Sequence, residues 1–246
     1  MAQRLIHWVY AVLLFASACP SVHAADIPGV EMKLPAKERD VRVIHFRAPG
    51  NAPHPAALML HGAGGFDRRI ADYKRYASAL ADQGIDAYLV YYYSAQDEAS
   101  VGTFEIRYPA WAKLVDDLAD DVIKQKDSNG KVGLVGFSNG GILATGASIL
   151  DPRINAAVIY YGTVPWPLDA PRLYPPLLIL HGDADAVISV NAGIELADNA
   201  REQGGSADLV IYPDEVHGFG SNITSKNGAD ALARTIAFLR RELAAQ

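Results

Sequence analysis

Cysteine is nearly absent from this chain, and its scarcity excludes several kinds of chemistry. The only cysteine among 246 residues is Cys19, which lies inside a segment with the features of a removable leader. A mature chain without cysteine has no disulfide, no thiolate nucleophile and no cysteine ligand for a metal. About 220 residues can still bury a core large enough to fold without disulfides.

The remainder of the chain also lacks a basic run, an acidic tail and a long apolar run. Charges of both signs are mixed along the sequence and sum to −6 over all 246 residues, so no nucleic acid partner is expected. No segment after the leader has the about 20 apolar residues that a transmembrane helix needs. No two histidines stand at helical spacing and no phosphate-binding glycine motif occurs. We therefore expect neither a metal nor another cofactor.

The first 24 residues have the composition of a secretory signal peptide. A short positive start ends at Arg4, residues 5–18 are almost wholly apolar, and small residues precede Ala24. This pattern predicts cleavage after Ala24 and a secreted or periplasmic protein, in which residues 25–246 form one domain. Loss of Arg4 takes the net charge from −6 to −7. The alternatives are an uncleaved anchor and lipid attachment at Cys19, since the residues before it loosely resemble a lipoprotein site.

Short apolar runs alternate with helical patterns along the rest of the chain. This alternation predicts a mostly parallel central sheet with helices on both faces. Two long connections, 94–109 and 162–176, are candidate substrate walls because such sheets place ligands at the carboxyl ends of their strands. The predicted strands are Val41–Phe46, Ala56–Leu60, Asp86–Tyr92, Lys131–Phe137, Ile154–Tyr160, Leu177–Leu180 and Leu209–Tyr212, and the predicted helices are Ile70–Gln83, Trp111–Lys126, Gly140–Leu150, Val190–Glu202 and Ala229–Ala244.

A G-x-S-x-G pentapeptide occupies residues 136–140 and centres on Ser138. It lies between a predicted buried strand and a predicted helix, which is the setting of a serine nucleophile on a tight turn. The helix N-terminus would also direct backbone N–H groups at developing negative charge. Ser138 is therefore the predicted nucleophile, and a plain turn or cap residue is the alternative.

His217 is the predicted general base. It lies in a loop after the last predicted strand, from which an imidazole can reach over the end of the sheet towards Ser138. His61 and His181 each end a strand as His-Gly, a position in which a histidine more often braces a turn. The alternative for His217 is a surface loop residue.

The acid of a Ser, Asp, His order is expected between Ser138 and His217. Two carboxylates, Asp183 and Asp185, compete for this role in the loop after strand 177–180. Asp is also common in turns, so both could simply cap their loop.

The oxyanion hole is predicted to combine two backbone N–H groups. One belongs to Asn139, and the other to Ala63 or Gly64 in the small-residue loop after strand 56–60. Five further residues occupy or flank the two long connections as candidate pocket walls, and core packing or solvation is the alternative for each. They are Arg107, Tyr108, Trp111, Tyr161 and Trp166.

From about Val41 to the final helix, the chain resembles the dienelactone hydrolase family of α/β-hydrolases. The resemblance is carried by H-G-A-G-G, G-F-S-N-G, H-G-D-A-D and V-H-G-F. It implies the α/β-hydrolase fold, with Ser138 as nucleophile, Asp185 as acid and His217 as base. Members that open dienelactones typically have cysteine where this chain has Ser138, and a glutamate in the loop that here reads H-G-A-G-G. The resemblance thus implies the mechanism and leaves the substrate open.

The expected function is hydrolysis of a carboxylic ester or lactone through an acyl-enzyme, outside the cytoplasm. The expected partner is a small-molecule ester or lactone, and the oligomeric state is open. Similar triads cleave amides, so a peptidase or acyl-aminoacyl hydrolase is the alternative enzyme. A catalytically silent binding module of the same fold is the alternative from a different class.

Overall fold

One eight-stranded sheet forms the centre of the protein. The computed structural model describes residues 27–93, 104–165 and 173–244. The predicted signal peptide with Cys19, and the candidate wall residue Trp166, lie outside these ranges. The strands are β1 (Val30–Pro35), β2 (Asp40–Phe46), β3 (His54–Leu60), β4 (Asp86–Val90), β5 (Ser128–Phe137), β6 (Ile154–Tyr160), β7 (Leu177–Gly182) and β8 (Ala207–Tyr212).

The strand order is β1-β2-β4-β3-β5-β6-β7-β8. β2 pairs antiparallel with both β1 and β4, and the remaining pairs, from β4 through β8, are all parallel. The prediction of a mostly parallel sheet is therefore confirmed. The described helices are α1 (Ile70–Asp82), α2 (Phe104–Ile123), α3 (Asn139–Leu150), α4 (Val190–Glu202) and α5 (Lys226–Glu242), with short 3-10 turns at Asp67–Arg69 and Phe219–Ser221.

Helices cover both faces of the sheet, and the strand sequences show why. Successive side chains of a strand point to opposite faces. In β3, Leu58 and Leu60 join the core under α2, α3 and α4, whereas Ala57 and Met59 join the core under α1 and α5. The central strands must therefore be apolar at nearly every position, as their continuous apolar runs predict.

The largest departures from the expected elements lie where packing does not require a strong apolar pattern. β1 was not predicted: most of its side chains are exposed, and it is an edge strand held by its pairing with β2. α2 begins at Phe104, ahead of the predicted Trp111, and contains Pro109. β3 begins at His54, and its register with β5 shifts between His54 and Ala56, where Pro55 has no N–H to donate.

The parallel strands all end at the same edge of the sheet. This edge brings together the loops that follow β3, β5, β7 and β8, which carry every predicted triad and oxyanion residue. Among the helices described here, none combines the length and apolar character that crossing a bilayer requires.

Candidate active site

Ser138 is the single residue between β5 and α3. Its backbone has φ 56° and ψ −119°, and a positive φ is strained for a residue that carries a Cβ. The turn is held in place because the Ser138 N–H donates to the Tyr160 carbonyl at 3.0 Å and the Ile142 N–H donates to the Ser138 carbonyl at 3.0 Å. The strand–turn–helix context predicted for the G-x-S-x-G sequence is present.

The two glycines of this motif are required by close backbone contacts. A Cβ on Gly136 would lie 2.2 Å from the Gly140 carbonyl oxygen, and a Cβ on Gly140 would lie 2.1 Å from that of Leu60. These carbonyls belong to the backbone of α3 and of the central strand β3, which cannot move aside to relieve such clashes. Glycine therefore lets α3 start directly against the sheet, which fixes the position of Ser138.

His217 contacts Ser138 from the loop after β8. Its Nε2 lies 2.9 Å from the Ser138 hydroxyl oxygen, and its Nδ1 lies 2.7 Å from Asp185 Oδ2. The imidazole packs against the Tyr161 ring, with centroids 4.7 Å apart. A neutral imidazole that donates from Nδ1 to the carboxylate leaves Nε2 free to accept the serine proton.

Asp185 is a buried carboxylate whose oxygens are both occupied. Oδ1 accepts the N–H groups of Val187 at 2.8 Å and Ile188 at 2.9 Å, while Oδ2 faces His217. Burial opposes ionisation of this carboxyl, but the bonds from Ile188, His217 and Val187 outweigh burial and lower its pKa. Asp185 is therefore held as an anion with a fixed orientation.

Asp183 has a different role from Asp185 in the same loop. It is exposed, and its Oδ1 accepts the Asp214 N–H at 2.7 Å. It ties the loop after β7 to the turn after β8, as expected of a turn acid. Of the two carboxylates that compete for the triad position, the structure places Asp185 against His217.

His181 lies behind Asp185 and is fully buried. Its Nε2 donates to the Ile188 carbonyl at 2.9 Å and lies 3.5 Å from Asp185 Oδ2. Burial lowers the pKa of this imidazole. His181 thus braces the loop that carries Asp185, the kind of role that its His-Gly position indicates.

The loop after β3 lies directly beside the nucleophile. A Cβ on Gly62 would be 3.3 Å from the Ser138 Cβ. The loop is closed by a bond from the Gly65 N–H to the Gly62 carbonyl at 3.1 Å. In the described part of the chain, this turn uses neither the Ala63 nor the Gly64 N–H. The predicted oxyanion hole combines one of these two groups with the Asn139 N–H in the first turn of α3.

His61 stabilises the loop that follows β3. Burial lowers the pKa of His61 to about 4, so the ring is neutral at neutral pH and its Nδ1 donates to the Gly62 carbonyl at 2.8 Å. Tyr92 stacks on the ring with centroids 4.2 Å apart, and its hydroxyl donates to the His61 carbonyl at 2.7 Å. The support by Tyr92 was not predicted, because the two residues follow different strands.

The candidate wall residues separate into different environments. Tyr161 contacts the imidazole of His217, whereas Trp111 packs against Tyr92. The Tyr108 hydroxyl lies 1.4 Å from where a Cβ on Gly146 would be, so Tyr108 packs on α3 two turns beyond Ser138. Arg107 is half-buried in the same helix as Tyr108.

One long-range contact at the site was not predicted. The Arg69 guanidinium donates to the Ser221 hydroxyl at 2.7 Å, although the residues are 152 positions apart, and that hydroxyl donates to the Gly218 carbonyl at 2.8 Å. These bonds tie the segment after the Gly62 loop to the loop that carries His217. No local pattern in the sequence marks either residue.

Comparison of the sequence with known proteins identifies its family. The sequence profile of the dienelactone hydrolase family matches residues 40–243. A protein of Methylorubrum extorquens assigned as a carboxymethylenebutenolidase is 25% identical over 235 residues, covering 85% of this chain and 79% of that protein.

Solved structures share the fold at lower identity. A Klebsiella pneumoniae protein assigned as a dienelactone hydrolase has a TM-score of 0.72 at 19% identity, covering 87% of this chain and 98% of that one. An esterase of Pyrobaculum calidifontis has a TM-score of 0.74 at 18% identity, covering 90% and 88%. The fold is therefore the α/β-hydrolase fold. The chain belongs to the dienelactone hydrolase family and is an esterase-like hydrolase.

Proposed function

We propose that this protein is an exported serine hydrolase that cleaves a carboxylic ester or lactone through an acyl-enzyme. One observation carries the proposal: an unbroken chain of hydrogen bonds links Ser138, His217 and Asp185, with contacts of 2.9 and 2.7 Å. These three hydrogen-bonded residues lie at the carboxyl edge of the sheet, beside a helix N-terminus. An arrangement of nucleophile, base and orienting acid is the general requirement for acyl transfer by serine.

The first half of the reaction forms the acyl-enzyme. His217 Nε2 takes the hydroxyl proton while Ser138 Oγ bonds to the substrate carbonyl carbon, and the carbonyl oxygen becomes an oxyanion. The Asn139 N–H and that of Ala63 or Gly64 stabilise this charge. As the tetrahedral intermediate collapses, the imidazolium gives its proton to the leaving alkoxide, and the alcohol departs. In a lactone the alcohol remains attached to the acyl group.

The second half repeats these steps with water. His217 removes a proton from water as the water oxygen attacks the acyl carbon, and the same N–H groups hold the second oxyanion. Collapse breaks the bond to Ser138 Oγ, which regains its proton from His217, and the acid is released. Asp185 stays ionised throughout and stabilises the imidazolium in both halves.

The substrate class rests on the family and on the nucleophile. The relative from Methylorubrum extorquens carries the name of a lactone-opening enzyme, and a structural neighbour is an esterase. A serine alkoxide generated by a neighbouring base suits both esters and lactones.

Covalent labelling with a fluorophosphonate probe tests this function. We expect stoichiometric labelling at Ser138, together with hydrolysis of short nitrophenyl esters, simple lactones or acetylated sugars. A silent binding module stays unlabelled and leaves the esters intact, and this result would overturn the proposal. Labelling accompanied by efficient cleavage of peptidyl amides, abolished in Ser138→Ala, would instead identify a peptidase.

Export is part of the proposal and has its own test. The mature protein is expected to begin at Ala25, because cleavage of the predicted signal follows Ala24. Intact mass and N-terminal sequencing of protein from a native-like secreting host check this directly. A diacylglyceryl mass on a chain that starts at Cys19 would indicate a lipid anchor, and an uncleaved Met1 in the soluble cell fraction would contradict export.

A further inference from the structure

A cavity of about 190 Å³ lies between the loop after β3 and the residues that follow β4. Ala63 and Gly64 form one wall, and these residues carry the proposed oxyanion donors. Phe66, Tyr91 and Tyr93 contribute the aromatic part of the lining. The cavity therefore adjoins the loop that carries the proposed oxyanion donors.

The half-buried rings of Tyr91 and Tyr93 provide the aromatic surface of this cavity, and they pack on the buried rings of Phe66 and His61. Phe66 and Tyr91 meet edge to face with centroids 5.3 Å apart, and Tyr93 meets the ring of His61 edge to face at 4.7 Å. Phe66 is fully buried, whereas Tyr91 and Tyr93 are half-buried and keep part of their surface exposed. A flat ring entering the cavity can make the offset or edge-to-face contacts that aromatic groups prefer.

Tyr91 is held in place before any ligand arrives. The Arg42 guanidinium lies 4.1 Å from the centroid of the Tyr91 ring, and the Tyr91 hydroxyl donates to Asp67 at 3.4 Å. A wall that is already ordered loses little conformational freedom on binding. This fixed geometry favours a rigid planar group over a flexible chain.

The charges at the rim do not favour a charged group of either sign. Asp67 and Arg68 are adjacent, both are exposed, and both line the cavity. Their formal charges cancel, so the aromatic surface is the feature that can select a ligand.

We infer that this cavity is a subsite for an uncharged planar ring, phenyl or similarly flat, carried by the ester substrate next to its scissile carbonyl. The inference rests on the proposed function, since it assigns a substrate class to the same active site. The subsite distinguishes substrates by the flatness of their ring and by the contacts of that ring with the aromatic lining. The expected preference for an aromatic over a saturated ring is about 3- to 10-fold in kcat/KM, which corresponds to the strength of one or two aromatic contacts.

Two matched pairs of esters test this preference on both sides of the carbonyl. Benzyl acetate and cyclohexylmethyl acetate place the ring on the alcohol, and methyl phenylacetate and methyl cyclohexylacetate place it on the acyl group. Members of each pair have similar chemical reactivity and differ mainly in the flatness of the ring. We expect the aromatic member to be preferred through KM in at least one pair, and the pair that responds identifies the side.

Variants of Tyr91 connect the preference to the cavity. Tyr91→Leu should bring the ratio of aromatic to saturated kcat/KM close to one, whereas Tyr91→Phe, which keeps the ring, should retain it. Tyr88→Leu is a matched control because Tyr88 is a buried tyrosine of β4 that stacks on His45 and does not line this cavity. It should leave the ratio unchanged even where stability falls.

The outcomes separate this inference from the proposed function. Hydrolysis of all four esters with ratios near one in both pairs overturns the subsite and leaves the serine hydrolase intact. Absence of both fluorophosphonate labelling and ester hydrolysis overturns the proposed function. A preference for benzyl hydrogen succinate over benzyl acetate that is lost in Arg68→Gln would show that the cavity recognises negative charge, and would also overturn the subsite.

Discussion

Replacing Ser138 by alanine is expected to lower kcat for ester hydrolysis by a factor on the order of 10⁴ to 10⁶ while the protein stays folded. The hydroxyl is the nucleophile in the proposed mechanism, and its contact with His217 is the hydrogen bond that starts proton transfer. What remains is the catalysis from the oxyanion groups and substrate binding, about 10³–10⁴ above water. Steady-state kinetics on a short nitrophenyl ester measure the loss.

A second serine provides the control. Ser189 caps the N-terminus of α4, where its side chain accepts the Asn191 N–H. Ser189→Ala should lower the free energy of unfolding by about 1 kcal/mol, the usual effect of losing a cap, and should leave kcat nearly unchanged. The two variants therefore separate catalysis from stability. Near-normal turnover by folded Ser138→Ala protein would contradict the central assignment.

Local patterns predicted the features that depend on a few adjacent residues. The G-x-S-x-G sequence placed Ser138 on a turn between strand and helix, because both glycines are needed for the close approach of α3 to Leu60. Continuous apolar runs predicted the central strands, because both faces of these strands are covered. Edge strand β1 carries no such signal, since most of its side chains face solvent.

Features that depend on distant contacts were not accessible from the sequence. Arg69 and Ser221 meet only because the loops after β3 and β8 converge at one edge of the sheet. The environment of Tyr108 also depends on tertiary structure, because its neighbour Gly146 belongs to another helix. Composition alone likewise could not separate Asp183 from Asp185, which lie two positions apart in one loop. They differ in burial and in whether the carboxylate meets the Asp214 N–H or the His217 imidazole.

Asp185→Asn is expected to lower kcat at neutral pH by a factor of about 10⁴, the effect of the corresponding change in a serine protease. The reason lies in the contacts of the carboxylate. Oδ1 accepts two backbone N–H groups, from Val187 and Ile188, and an asparagine must keep its carbonyl oxygen there. Its NH₂ group then faces His217 Nδ1, which must become an acceptor. The imidazole proton moves to Nε2, where it prevents His217 from accepting the proton of Ser138.

Asp183→Asn is the matched control, because it makes the same chemical change two residues away. The Asp183 side chain accepts the Asp214 N–H from an exposed position, and an asparagine oxygen can accept the same bond. This variant should keep most of its turnover and lose only a little stability. The reverse ranking, measured on folded proteins, would move the acid to Asp183. Full activity in both variants would direct the search to Asp214.

The loss of stability at acid pH gives an independent test of the role of Asp185. The pKa of this carboxyl is lowered in the folded protein, so its contribution to stability is present above the unfolded pKa of about 4. That contribution is lost as the pH falls through the folded pKa, because protonation removes the acceptor of the His217 and backbone bonds. Asparagine does not titrate, so the difference in Tm between pH 7 and pH 3 should be smaller in Asp185→Asn than in the parent protein. The same difference in Tm in both proteins would mean that Asp185 is not held as a buried anion, which the orientation of His217 requires.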